Sequence, residues 1–227
     1  MRTQVDHLVV AARTLEEGVA WCEATLDITP GAGGEHALFG THNRLFRIAT
    51  VNFPRAYFEI IAINKIAYRA IKSPAKCWFD LDSPQLQAGI EGSPRLVHFV
   101  ANTGDIRTAG AALHALGIER GPAVKANRMT ANGLLEWQIT VRDDGQRLFN
   151  GVLPTLIEWG QTHPANAMPD SGISLQNLRI THPEASELAT AYQAIGLQGI
   201  TIEAGTPNII ATLQTPRGIV TLESKGI

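Results

Sequence analysis

The sequence predicts an α+β fold built from three copies of one strand–helix–strands unit. Three observations carry this expectation. A short apolar strand recurs, as Val5-Asp6-His7-Leu8-Val9-Val10, Leu96-Val97-His98-Phe99-Val100 and Leu175-Gln176-Asn177-Leu178-Arg179-Ile180. A helical run follows each and ends in a turn at Asp27, Gly117 and Gly196, which lie 20, 19 and 19 residues beyond His7, His98 and Asn177. Each unit then closes on an apolar strand bearing a glutamate, at Glu59, Glu158 and Glu223. Such self-similarity is the signature of one structural unit used three times. The predicted organisation is unit one at 1–64, a connector at 65–94, unit two at 95–160, a linker at 161–172 and a degenerate unit three at 173–227. Units one and two together make the main domain.

Each element has a local reason. Residues 5–12 read as a buried strand, and Thr14 with Glu17 forms a capping box for the next helix. Leu15, Val19, Cys22 and Leu26 share one face of that helix, so Cys22 is expected in the core. Pro30-Gly31-Ala32-Gly33-Gly34 reads as a turn-rich exit. Lacking the GxGxxG order and following a helix, it is not expected to bind phosphate. Segments 45–51 and 57–63 read as strands, the second placing Tyr57, Glu59 and Ile61 on one face. A glutamate among such neighbours should be paired, ligated or facing a cavity. The connector carries three prolines, the Cys77-Trp78-Phe79 cluster and a short helix near 84–91; it either wraps a cavity or spans the surface. In unit two, Thr103 or Asp105 caps a helix with Ile106, Ala109 and Leu113 on one face, and 134–141 alternates as a half-buried strand. Unit three offers a strand at 173–181, a helix after Pro183 and strands near 199–203, 208–214 and 218–223.

Composition narrows the function. With 227 residues, 44% hydrophobic and 18% charged, the chain is apolar enough to fold around a core. A net charge of −2 without a basic, aromatic-laced stripe argues against nucleic acid. Apolar runs are of strand length, so no membrane span is expected, and the amino terminus has no signal-type segment, which makes the cytoplasm the expected location. No GxSxG elbow is present to support acyl transfer.

Through Asp6-His7-Leu8-Val9, Gly40-Thr41-His42-Asn43-Arg44-Leu45, Tyr57-Phe58-Glu59-Ile60-Ile61-Ala62 and Leu156-Ile157-Glu158-Trp159-Gly160, the chain resembles the vicinal oxygen chelate superfamily, in particular its glyoxalase-like domain proteins. The resemblance implies that the repeats are βαβββ units whose curled mixed sheets form a cupped, half-barrel cavity, two units pairing around it with a divalent metal on its floor. Carried over position by position, the implied ligands are His7, Glu59, His98 and Glu158. Such a set suits Zn, Mn, Fe, Ni or Co without choosing among them. The implied activity is that of a lyase or isomerase acting on a small substrate with adjacent oxygens, the metal stabilising an enediolate-like intermediate as a Lewis acid. Glu158, then Glu59, is the implied proton carrier. His42, Asn43 and Trp137 are the candidate substrate contacts; His42 could equally close a turn, and Trp78, Trp137 and Trp159 wall a pocket or fill a core. His36, near the Gly-rich stretch, could line the mouth but is expected rather at the solvent, and His163 and His182, each before proline, in turns.

Other readings stay open. A histidine on an apolar strand is commonly a satisfied core group, and only the repetition of His and Glu raises the metal reading. A metal-free small-molecule binding or sequestering protein is the alternative. A further one is an extradiol-type dioxygenase using His7, His98 and Glu158 alone. Unit three lacks the histidine and must bury its inner face somewhere, which makes a homodimer one expected outcome. Units two and three could also pair with each other, separating His7 from His98; one ion bound by both would bring their ring nitrogens within about 4 Å.

Overall fold

The computed structural model describes residues 2–70, 77–130 and 133–227. Unit one supplies β1 (Thr3–Ala11), α1 (Leu15–Leu26), β2 (Gly31–His36), β3 (Thr41–Arg47) and β4 (Tyr57–Ile63). The connector holds α2 (Lys65–Ala70), a 3-10 turn at Trp78–Asp80 and α3 (Pro84–Gly89); its residues 71–76, with Pro74, lie outside the described residues. Unit two contributes β5 (Arg95–Thr103), α4 (Ile106–His114), β6 (Ala123–Thr130), β7 (Gly133–Thr140) and β8 (Thr155–Trp159). The last unit adds β9 (Ser174–Thr181), α5 (Ala185–Ala194), β10 (Thr201–Glu203), β11 (Asn208–Thr215) and β12 (Gly218–Glu223).

The helices start where the sequence caps them. Thr14 accepts a hydrogen bond from the Glu17 amide at the head of α1, and Asp105 from the Thr108 amide at the head of α4. Units one and two join edge to edge: the order β2-β3-β4-β1-β5-β8-β7-β6 forms one curled eight-stranded sheet. Its seam is the antiparallel pair β1–β5, with His7 opposite Val100 and Val9 opposite His98. Unit two therefore pairs with unit one, and the alternative pairing with unit three is excluded.

Unit three forms its own sheet, β10-β9-β11-β12. The outer faces of β1 and β5, carrying Leu8, Val10, Phe99 and Ala101, need apolar cover. They share one core with α1, α4 and the inner side of this second sheet, including Leu178, Ile180 and Ala211. Backbone and side-chain bonds fasten it, such as Leu175 N to the Ile48 carbonyl and Thr3 Oγ1 to the Ile195 carbonyl. Unit three thus buries its inner face within this chain.

On the concave side, the connector folds in. Trp78, Phe79, Leu81, Leu86 and Ile90 are buried against Val9, Val100 and Ile157, so the connector wraps the cavity. The segment expected as a turn, 31–34, is part of β2, and β6 completes the opposite edge. Among the described residues no helix is long and apolar enough to cross a membrane.

Candidate active site

The half-barrel encloses a cavity of about 30 Å³ lined by His7, His36, Asn43, Glu59, Arg128 and the three tryptophans Trp78, Trp137 and Trp159, among others. A wider groove of about 390 Å³ lies between Thr3–Val5 and Gln176–Asn177, but its lining has no cluster of titratable groups. The smaller cavity is the candidate site because polar and ionisable groups converge there within apolar walls.

His7, which lines the cavity, is one of two charges from adjacent positions of β1, the other being Asp6 behind it. A bulge between Val5 and His7 breaks strict alternation, and both Asp6 and His7 are buried. Asp6 Oδ1 lies 2.6 Å from His7 Nδ1. Its Oδ2 accepts from Trp159 Nε1 at 2.9 Å, His163 Nε2 at 2.9 Å and Asn102 Nδ2 at 3.2 Å. One carboxylate thus ties β1 to β5, β8 and the linker. His7 stacks on Tyr57 with ring centroids 4.5 Å apart. Its Nε2 is 3.4 Å from Glu59 Oε2, an ion-pair distance. Burial alone would discharge the imidazole, but Asp6 and Glu59 on either side outweigh it and raise its pKa to about 9. The same contacts hold both carboxyls below their ordinary range against the opposing effect of burial.

Glu59 takes its one hydrogen bond on the oxygen away from His7. Its Oε1 accepts from Asn43 Nδ2 at 2.6 Å, and Asn43 is itself fixed by the Gly34 amide, which donates to Oδ1 at 2.7 Å. Asn43 also reaches His36 Nε2 at 3.3 Å, while Thr41 Oγ1 meets His36 Nδ1 and accepts from Trp78 Nε1. Burial pushes the His36 pKa down to about 4, so this imidazole is neutral and accepts. Glu59 Oε2 is buried without a hydrogen-bond partner among the described residues.

The four implied ligands do not converge. His98 is fully buried and neutral: its Nδ1 donates to the Gly151 carbonyl at 2.7 Å, and its Nε2 lone pair faces the Thr155 amide at 3.2 Å and hydroxyl at 3.0 Å. Burial, with cationic Arg120 nearby, holds its pKa well below the ordinary range. Arg120 in turn donates to Thr155 Oγ1 at 2.5 Å. Glu158 points to the convex side, where Oε2 accepts from the Ile106 amide at 2.7 Å at the head of α4. On β8 the residues sharing its cavity face are Thr155, Ile157 and Trp159, since strand neighbours alternate.

The register explains the difference. Val9 on β1 pairs with Glu59 on β4, and Val100, equally placed after His98 on β5, pairs with Thr155 on β8. Thr155, not Glu158, is therefore the counterpart of Glu59. Of the implied set, the structure brings together His7 and Glu59, while the lone pair of His98 and the carboxylate of Glu158 are engaged elsewhere. Among the described residues no group of three or more His, Cys, Asp or Glu is placed to hold one ion, and the set does not fit a four-ligand centre. Of the expected substrate contacts, Asn43 and Trp137 line the cavity, Asn43 chiefly by positioning Glu59. His42 is half-buried outside it, with Glu16 and Glu35 as its nearest carboxylates.

Asp6, Arg128 and Thr155 had no role assigned from the sequence, while His36 was expected mainly at the solvent and His163 only in a turn. Asp6 carried a signal, an acid inside an apolar strand beside a histidine. The others depend on contacts between distant strands that no local pattern announces.

This geometry can be set beside known proteins. The sequence profile described as the glyoxalase-like domain matches residues 5–196. The chain belongs to the glyoxalase-like domain family. Its curled sheet is the vicinal oxygen chelate fold, as in a hypothetical protein from Staphylococcus aureus, with a TM-score of 0.63 at 16% identity over 91% of this chain and 88% of that one. Methylmalonyl-CoA epimerase from Streptomyces coelicolor is also similar, with a TM-score of 0.44 at 15% identity over 72% of this chain and 99% of the other. No curated protein matches the chain. Membership carries a general function of the vicinal oxygen chelate type.

Proposed function

We propose that this chain is an enzyme that takes a small substrate with adjacent oxygens into the tryptophan-walled cavity and moves a proton through Glu59. The observation that carries the reading is the buried Oε2 of Glu59, which accepts no hydrogen bond among the described residues and meets only the His7 imidazolium at ion-pair distance, on a carboxylate that Asn43 orients from behind. The neighbouring imidazolium keeps Glu59 ionised, ready to accept a proton from a carbon next to a carbonyl. Proton transfer leaves a carboxylic acid on Glu59 and an enediolate-like anion on the substrate. His7, held cationic by Asp6, supplies a fixed positive charge beside that anion. Return of the proton to the same or a neighbouring carbon completes an isomerisation. No step is routed through a metal, because the donor set implied for one does not fit.

Solvent exchange tests this directly. Wild-type protein in deuterium oxide should exchange α-protons of one or more 2-hydroxy- or 2-oxo-carbonyl compounds, followed by proton NMR. Glu59→Gln should slow exchange by about 10²-fold or more. Exchange undiminished in that variant, or absent with every compound, refutes the proposal. Saturable binding without exchange would assign the cavity to sequestration instead.

A further inference from the structure

The cavity contains a second unsatisfied group, on its far wall. Arg128 comes from β6, at one edge of the eight-stranded sheet, and reaches towards β2, at the other. Its Nε and Nη1 atoms are buried and have no hydrogen-bond partner among the described residues. A guanidinium carries five N–H donors and stays charged at all ordinary pH. Leaving such donors dry is costly unless something in the cavity receives them. Glu59, in the same cavity, offers an acceptor oxygen that is ion-paired with His7 but takes no hydrogen bond among the described residues.

Gly34 shows how closely the two edges meet. A Cβ at this position would fall 2.2 Å from Arg128 Nη1 and 2.9 Å from its Cζ. The absence of a side chain on β2 is what lets the guanidinium lie there. Arg128 thus closes the cup where the sheet itself has no ladder.

We infer that the cavity recognises a small carboxylic acid, its carboxylate received by Arg128 and its hydroxyl or acidic C–H presented to Glu59. The inference deepens the reading of Glu59 as the proton acceptor. An anion satisfies the orphan donors, and a proton-bearing group satisfies the acceptor oxygen of Glu59. The planar guanidinium fork matches a planar carboxylate through two parallel N–H bonds. The tryptophan faces accept a flat, unsaturated or aromatic remainder.

Matched acids and primary amides test it: lactate against lactamide and mandelate against mandelamide, with binding followed by tryptophan fluorescence and calorimetry. Wild-type protein should prefer the acid by about 10- to 100-fold, the worth of a charge-assisted hydrogen bond. Arg128→Gln should abolish the preference. Gly34→Ala should weaken it without removing any charge, because the new methyl displaces the flexible end of Arg128 rather than backbone. Melting curves identify any variant that has failed to fold. Equal binding of acid and amide by the wild type, binding of neither, or undiminished preference in folded Arg128→Gln overturns the inference. Glu59→Gln separates the two readings. It should slow α-proton exchange yet keep the preference for acid, so a failed base and a failed anion site give different results.

Discussion

Replacing Asp6 by Asn removes one charge at the point where four buried donors meet. The carboxylate accepts from His7, Trp159, His163 and Asn102. A carboxamide has one acceptor oxygen, so its NH₂ must face at least one of those donors. The least damaging arrangement turns the NH₂ towards His7 Nδ1 and requires that imidazole to become neutral. Breaking a buried, paired charge in this way costs about 3–5 kcal/mol. At roughly 2–4 °C per kcal/mol for a chain of this size, the melting temperature should fall by about 6–20 °C. Calorimetry or far-ultraviolet circular dichroism reads that fall, and a pH series adds a second, independent signature. Because the folded His7 pKa is raised to about 9 from 6.5, its contribution is fully present below pH 6.5 and is lost as pH climbs towards 9. The wild type should therefore lose stability across that window, and Asp6→Asn should lose the slope. A melting temperature within about 2 °C of wild type together with an unchanged alkaline slope would refute the description of Asp6 as the anchor of the site.

On the acid side the sign reverses. His36, lowered to about 4, and His98, also lowered, stay neutral in the fold, so stability present above pH 6.5 should decline as pH falls below it; melting curves from pH 7 to 4.5 that stay level would contradict this. Gly151 has φ of +85°, and a Cβ there would meet the Val97 carbonyl oxygen at 2.6 Å, so Gly151→Ala should destabilise by about 2–4 kcal/mol in urea unfolding, and a neutral effect would sink the argument. Glu158→Ala removes an acceptor at the head of α4 and should cost about 1 kcal/mol, while leaving both metal content and α-proton exchange unchanged; a loss of either would return Glu158 to the active site. Thr155→Val, which strips the hydroxyl shared by His98 and Arg120, should cost about 2–3 kcal/mol, and measured stability within about 0.5 kcal/mol of wild type would show that the bridge is unimportant.

Signals confined to a few neighbouring residues were legible in the sequence. The Thr14 and Asp105 caps, the helical faces and the repeated histidine strands all follow from local chemistry, and with them the repeated unit, while the curled sheet rested on the resemblance to a family. The Gly-rich stretch 31–34 read as a turn because its composition is that of a turn. It is a strand because Gly33 and Gly34 admit Asn43 and Arg128 from elsewhere in the sheet. β6 is a polar edge with no apolar rhythm to announce it. Glu158 was matched to Glu59 by residue type, yet strand faces alternate with every residue, and the pleat turns Glu158 outward. Asp6 breaks the opposite way: a bulge, invisible in sequence, accompanies two neighbouring residues that meet at one site.

The paired units have diverged in electrostatics while keeping their geometry. In each, the histidine of the opening strand meets the residue that pairs two positions further along. In unit one that residue is Glu59, and the outcome is a charged His7 between two carboxylates, beside an oxygen that takes no hydrogen bond among the described residues. In unit two it is Thr155, and the outcome is a neutral, saturated His98 whose hydrogen bonds end on a backbone carbonyl and a buried arginine. A hydroxyl can serve as donor and acceptor at once, so Thr155 donates to His98 and accepts from Arg120 Nη2 and itself leaves little to offer a ligand, while Arg120 Nε and Nη1 have no hydrogen-bond partner among the described residues. A carboxylate accepts only, so Glu59 cannot be saturated by one asparagine and stays open to the cavity. Chemistry is therefore concentrated in one half of a symmetric shell. The other half holds the shape against which that chemistry is set.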